Sequence, residues 1–372
     1  MPAAGTPLPY LLADIMAHSA SGVDNREPIL IWGGGAIGGT IAAYWARAGV
    51  PVTIVDIVPE HVAACQTRGL RIFGPVDEFT VKVPATTPGE VQGRYRRIVL
   101  AVKAPATETA LEQLAPHLAD DGYVLSAQNG LNEIAIARRV GAERTMGCFV
   151  NFGADWHGPG EILFGNRAAV VVGEIDGATR PRTRDMHALL QRFEPDAVLT
   201  DNIWGYLWGK LAYGAQLFAT ALTTDSMADN FADPRRTIVF DTLGREVMAV
   251  ARARGIKPVG FNGFDPEAFA AEASPERSRA SIAALAEFNQ HSAKTHSGIY
   301  RDLAVRKRRT EIDPQIGIIV ELGREVGVAT PALARLVALI HDIEDGRRSM
   351  SFATFQDLID TCTFASMNAS RS

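Results

Sequence analysis

Apolar positions change their rhythm once along the chain. In the first half they come in short runs that stop at glycines or polar turns, as at 28–32, 51–55, 95–104 and 124–127. Short buried runs of this kind, alternating with helical patterns such as 40–48 and 184–193, predict a parallel sheet built from strand–helix–strand units. Residues 70–74 and 78–84 alternate as a β-hairpin does, and 149–153, 160–164 and 168–173 read as further short strands. From about Asp201 a 3.6-residue period takes over, beginning with the face Trp204, Leu207, Trp208 and Leu211. Amphipathic helices follow at 237–254, 317–328 and 330–343, with a loop carrying short helices at 256–279 and a polar helix start at 295–303. Residues 361–372 are small and polar and read as a frayed tail. The pattern predicts an α/β Rossmann-type N-terminal domain followed by an all-α C-terminal domain. Its expected bounds are an extension over 1–27, a dinucleotide-binding domain over 28–198, a helical domain over 199–350 and a tail over 351–372.

Composition narrows the class. The chain has 372 residues, 47% hydrophobic and 21% charged, with 37 basic against 42 acidic side chains and a net charge of −5. Such a balance argues against electrostatic nucleic-acid binding. Cys65, Cys148 and Cys362 are too few for a disulfide framework and lack metal-ligand spacing, so a reducing cytoplasm is expected and no metal site is. No apolar run approaches a membrane span, and the 8–16 stretch, broken by Asp14 and without a preceding basic residue, is not a secretory signal. Apolar stripes in the helical half leave a homodimer open as an assembly.

The chemistry begins at Gly33-Gly34-Gly35-Ala36-Ile37-Gly38, placed between a strand and a helix. Gly33 permits the tight turn, Gly35 lets a pyrophosphate approach the backbone, and Gly38 lets helix and strand pack closely. The helix start at Ala36 and Ile37 offers N–H groups and a positive dipole end to phosphates. Asp56 ends the next strand, 18 residues after Gly38. A carboxylate there bonds ribose hydroxyls and repels a 2′-phosphate, so NAD(H) is expected over NADP(H). S-adenosylmethionine is the rival ligand for the same turn.

Lys103 ends the 95–104 strand, and Asn129 lies in the Gln-Asn-Gly turn after the 124–127 strand. Both are strand C-termini, where open α/β sheets bind ligands. Lys210 stands on the first long helix with Gly214 and Phe218 at steps of four, and an aromatic setting suits a lysine to proton transfer. The run Arg306-Lys307-Arg308-Arg309 before Glu311 reads either as a solvated face or as part of a cofactor surface.

Taken in order, Gly-Gly-Gly-Ala-Ile-Gly (33–38), Val-Lys-Ala (102–104), Gln-Asn-Gly (128–130), Trp-Gly-Lys-Leu (208–211) and Thr-Glu-Ile-Asp (310–313) resemble the ketopantoate reductase (2-dehydropantoate 2-reductase) family over roughly residues 28–345. The resemblance implies substrate bound between a Rossmann domain and a helical domain, with ketopantoate or pantoate as the default. By position it makes Lys210 the general acid, Glu311 the active-site glutamate, and Lys103 and Asn129 the pair contacting cofactor and substrate. Three departures stand out. Where the family has asparagines one and two turns after the lysine, this chain has Gly214 and Phe218, which favours a bulkier or more apolar substrate. The family's substrate serine falls on Ile299, with Ser297 the nearest replacement. Asp56 argues against the NADPH common among biosynthetic members. A catabolic dehydrogenase of another hydroxy acid or alcohol, and a non-catalytic NAD(H)-sensing protein, are the competing readings.

Overall fold

A computed structural model describes residues 27–261, 263–291 and 295–369. The extension expected over 1–27 lies outside them apart from Glu27. In chain order the first half holds β1 (Ile29–Trp32), α1 (Ala36–Arg47), β2 (Val52–Val55), α2 (Pro59–Thr67), β3 (Leu70–Phe73), β4 (Phe79–Val81), β5 (Ala85–Thr86), β6 (Tyr95–Leu100), α3 (Thr107–Leu114), β7 (Leu118–Ser126), α4 (Glu133–Val140) and β8 (Thr145–Val150). It continues through β9 (Gly153–Gly158), β10 (Glu161–Asn166), β11 (Val170–Glu174), α5 (Pro181–Gln191) and β12 (Val198–Leu199).

Eight of these strands form one sheet in the order β12-β11-β8-β7-β6-β1-β2-β5, parallel throughout except for β8 against β11. The chain turns one way from β1 to β2 and returns to β6 on the other side of β1. That reversal opens a crevice at the strand C-termini. The same edge therefore carries Gly33, Asp56, Lys103, Asn129 and, at the end of β8, Val150. The hairpin expected over 70–84 is present as β3 and β4, paired Leu70 to Val81. β9 and β10 leave the main sheet and extend that hairpin into a second sheet, ordered β4-β3-β10-β9.

The second half is helical: α6 (Ile203–Thr220), α7 (Met227–Ala232), α8 (Thr237–Ala253), α9 (Pro275–Gln290), α10 (Gly298–Tyr300), α11 (Ile318–Glu325), α12 (Pro331–Glu344) and α13 (Phe352–Ala369). α6 packs on β8 and β11, which seats the first helix of this half against the sheet. Its inner face joins a core with Phe240, Leu336 and Phe355, all fully buried; removing any such aromatic costs about 3–5 kcal/mol. Two π-helical stretches, Arg301–Val305 and Asp313–Gly317, bracket Glu311. Between them Lys307 has φ +47, the one positive φ among described non-glycine residues.

Two expectations are corrected here. The tail over 351–372 is replaced by α13, whose Phe355, Leu358 and Cys362 are fully buried; polar residues on its outer side hide a three-to-four-residue apolar period. Phe218 does not share the open face of Lys210 and is 1% exposed in the helical core. Two steps of four residues turn a helix some 80° past two full revolutions, so Leu217 holds that face instead.

Candidate active site

The glycine turn has the shape a dinucleotide needs. Gly33 sits at φ +103, and a Cβ there would lie 2.8 Å from the Ala101 carbonyl carbon. At Gly38 a Cβ would collide with the Gly33 carbonyl, so α1 starts as close to β1 as a helix can. Around Gly35 no atom beyond its own chain neighbours lies within 4 Å of the Cβ position. Glycine is kept there beside open space, at a helix start that no side chain caps. Both features fit an incoming pyrophosphate.

Asp56 fastens this turn. Its Oδ2 accepts the Gly34 N–H at 2.8 Å and its Oδ1 the Val58 N–H at 3.0 Å. His61, which sequence reasoning missed, holds the other side. Its Nδ1 accepts from Gly160 N–H at 3.0 Å and from Trp156 Nε1–H at 3.3 Å, so the ring proton sits on Nε2 and is donated to the Gly34 carbonyl at 2.9 Å. Burial holds this imidazole below its ordinary pKa and keeps it neutral. Trp156 and Gly160 lie about a hundred positions along the chain, so no local pattern announces the contact.

Asn129 is presented by a turn locked from behind. Gln128 Nε2 donates to Val102 O at 2.9 Å and to Thr107 Oγ1 at 2.8 Å, Thr107 donates to Asn132 Oδ1 at 3.1 Å, and Asn132 Nδ2 donates to Asn129 O at 2.7 Å. Gly130, at φ +97, passes so close to Pro314 that a Cβ would stand 2.7 Å from its carbonyl oxygen. From the helical half Lys210 Nζ donates to Asn129 Oδ1 at 2.7 Å and to Val150 O, and stands 5.3 Å from the Phe149 ring centroid. These acceptors and the ring face complement a cation.

Glu311 spans the same boundary. Its Oε1 accepts the Ala104 N–H at 2.9 Å and its Oε2 accepts Gln315 Nε2 at 3.2 Å. Lys103, one residue before Ala104, has its amine 3.5 Å from Asp302 Oδ2. Asp302 also accepts from Arg306 at 2.9 Å and Arg308 at 2.8 Å. The basic run is thus partly neutralised at its base. Those pairings, with Arg301 and Arg306 bound to Asp155 of β9, tie the 301–309 stretch to the sheet half. Ser297 is buried and caps α10, its Oγ accepting the Tyr300 N–H at 3.1 Å. The structure therefore brings Lys210 to Asn129, and Glu311 and Lys103 to neighbouring points of the crevice, while Ser297 serves a helix start. Asp302 and Gln315 were missed; each stands one helical turn from a basic or acidic partner, a signal that solvated helices also show.

Glu133, at the start of α4, is fully buried, and burial pushes its carboxyl up to about 8. It lies behind the Asn129 turn, near Gly147 of β8.

Comparison with known proteins agrees with this arrangement. The family described as ketopantoate reductase PanE/ApbA matches residues 29–177, and its C-terminal counterpart, ketopantoate reductase PanE/ApbA C terminal, matches 202–344. The 2-dehydropantoate 2-reductase of Mesorhizobium japonicum is 28% identical over 338 residues, covering 84% of this chain and 96% of that protein. That of Halobacterium salinarum is 25% identical over 314 residues, covering 84% and 97%. Among solved structures, a PanE/ApbA family ketopantoate reductase from Ralstonia eutropha superposes with TM-score 0.70 at 28% identity, covering 86% of this chain and 99% of that one. A D-mandelate dehydrogenase solved with NADH and anilino(oxo)acetate has the same fold, with TM-score 0.73 at 24% identity and coverage of 86% and 99%. Matched in both halves and in the same order, the chain belongs to the ketopantoate reductase family, pyridine-nucleotide-dependent oxidoreductases that act on CH–OH groups.

Proposed function

We propose that the protein reduces the carbonyl of a small 2-oxo acid, or oxidises the corresponding 2-hydroxy acid, in the crevice between its two halves. A reduced nicotinamide, when bound, supplies the hydride to the carbonyl carbon. Gly33, Gly35, Ala36, Ile37 and Gly38 would hold the pyrophosphate, and Asp56 the adenosine ribose. Lys103 and Asn129 would contact the cofactor and the substrate face turned toward it. Lys210 donates a hydrogen bond and then its proton to the carbonyl oxygen as negative charge develops there. Asn129 and the Val150 carbonyl keep the amine in place, and Glu311 orients the strand end that carries Lys103. Ser297, as a helix cap, acts at most from behind on a substrate polar group.

The contact between Lys210 of one half and Asn129 of the other carries this reading. A protein that only senses NAD(H) has no call for an amine at that point. Asp56, with Ile57 exposed beside it, supports NAD(H) over NADP(H). The test is oxidation of NADH and of NADPH against 2-oxo acids, ketopantoate included, and reduction of NAD+ against the hydroxy acids. Turnover with NADH and its loss in Lys210→Ala are expected; absence of turnover with every acid and both coenzymes contradicts the reading.

A further inference from the structure

The face of α6 that carries Lys210 has a character of its own. From Tyr206 onward only Tyr206, Lys210, Tyr213, Gly214 and Leu217 are partly open; the rest of the helix is buried. Apart from the amine, that strip is aromatic, aliphatic or bare backbone. Tyr213 packs its ring against Phe261 and Phe264, with centroids 6.0 and 5.5 Å away, so it adds ring surface to the strip.

A second element completes the wall. Phe149, under the lysine amine, has the Phe261 ring centroid at 5.3 Å and the Tyr206 ring at 5.7 Å; Phe261 in turn lies 6.0 Å from Tyr213. Phe261 is partly exposed, and its position is set by backbone contacts. Val259 N–H donates to Gly205 O at 2.9 Å, and Phe261 and Phe264 exchange backbone bonds at 3.2 and 2.9 Å. Gly209 lets this loop touch α6, since a Cβ there would strike the Val259 carbonyl. One turn beyond the amine, a Cβ on Gly214 would have only Gln315 Oε1 within 4 Å, at 3.9 Å. Open space and an apolar wall therefore adjoin the same amine.

Resting on the reductase reading above, we propose that Tyr213, Gly214, Leu217 and Phe261 form an apolar subsite for the substrate's side chain, and that the preferred substrates are 2-oxo acids whose side chain is aromatic or branched and carries no hydroxyl. A hydroxyl placed against Gly214 and Leu217 leaves water and finds no side-chain hydrogen-bond partner at either position in exchange. Discrimination of about 10–100-fold is what such a pocket supplies.

The test compares kcat/KM, with NADH, for ketopantoate, for 3,3-dimethyl-2-oxopentanoate (the same skeleton with methyl in place of hydroxyl), for phenylglyoxylate and for pyruvate. The methyl isostere and phenylglyoxylate are expected to exceed ketopantoate by about ten-fold or more. Phe261→Ala is expected to lower the phenylglyoxylate-to-pyruvate ratio by at least about ten-fold. Gly214→Asn, which fills the open space with an amide, is expected to move the preference toward ketopantoate; it keeps the test available should Phe261→Ala fold poorly. Ketopantoate outrunning its isostere, or a Phe261→Ala ratio equal to wild type, overturns the subsite and leaves the reductase reading standing. Failure of all four acids with either coenzyme overturns the reductase reading itself.

Discussion

Lys210 Nζ and Asn129 Oδ1 meet at 2.7 Å, although 81 residues separate them and one belongs to the helical half, the other to the sheet. The asparagine is fixed by the Gln128–Thr107–Asn132 chain behind it, so it acts as a rigid stop for the amine. Asn129→Ala is expected to lower kcat by about 10–100-fold through a misplaced proton donor, since misplacement of about 1 Å costs on that order. Far-UV circular dichroism of the variant should be unchanged.

Asp56 already accepts two backbone N–H groups, so its substitution has two effects of different size. Asp56→Ala is expected to raise kcat/KM for NADPH relative to NADH by at least about ten-fold, through removal of like-charge repulsion. It should also lower stability by about 1–3 kcal/mol, because the Gly34 and Val58 amides lose their acceptor. Paired coenzyme kinetics and urea unfolding separate the two effects.

Glu133 makes stability depend on pH in a definite direction. Its folded carboxyl, pushed by burial from the ordinary 4.5 to about 8, keeps its proton where the unfolded chain has lost it. The folded state therefore binds the extra proton between those values, and its contribution to stability falls as pH rises from about 4.5 to about 8, by up to ~1.4 kcal/mol per unit. Glu133→Gln removes that slope. Urea unfolding of both proteins at pH 5, 6, 7 and 8 should show the variant gaining on wild type toward the alkaline end.

His61 has the opposite sign. Held neutral by burial, it contributes stability above the ordinary histidine value of 6.5 that is lost as pH falls below it. His61→Ala leaves the Gly34 carbonyl and the Gly160 amide without their partner. A loss of about 2–3 kcal/mol and weaker NADH binding by fluorescence titration are expected, with the acid-side decline reduced.

Much of this molecule is legible in its sequence. The glycine turn, Asp56, Lys103 and Asn129 sit at strand ends that the sequence marks locally, and Lys210 lies within the first helix after the change of period. What escaped depends on partners far along the chain. His61 reads as an ordinary helix residue until Trp156 and Gly160 fold over it, and β9 and β10 look like more of the main sheet until they pair with β3. Phe218 was misassigned because steps of four drift around a helix, and α13 because its few fully buried positions, Phe355, Leu358 and Cys362, lie among small and polar residues. The 301–317 stretch has no periodic signature, since its π turns and the positive φ of Lys307 break the regular helix.

In the reaction proposed above, the amine of Lys210 delivers the proton. Single-turnover oxidation of bound NADH by a saturating 2-oxo acid, compared between wild type and Lys210→Ala, reads that step apart from binding. The hydride-transfer rate is expected to fall by about 10²–10⁴-fold, with the Kd for NADH within about three-fold of wild type. An unchanged rate in the variant would contradict it.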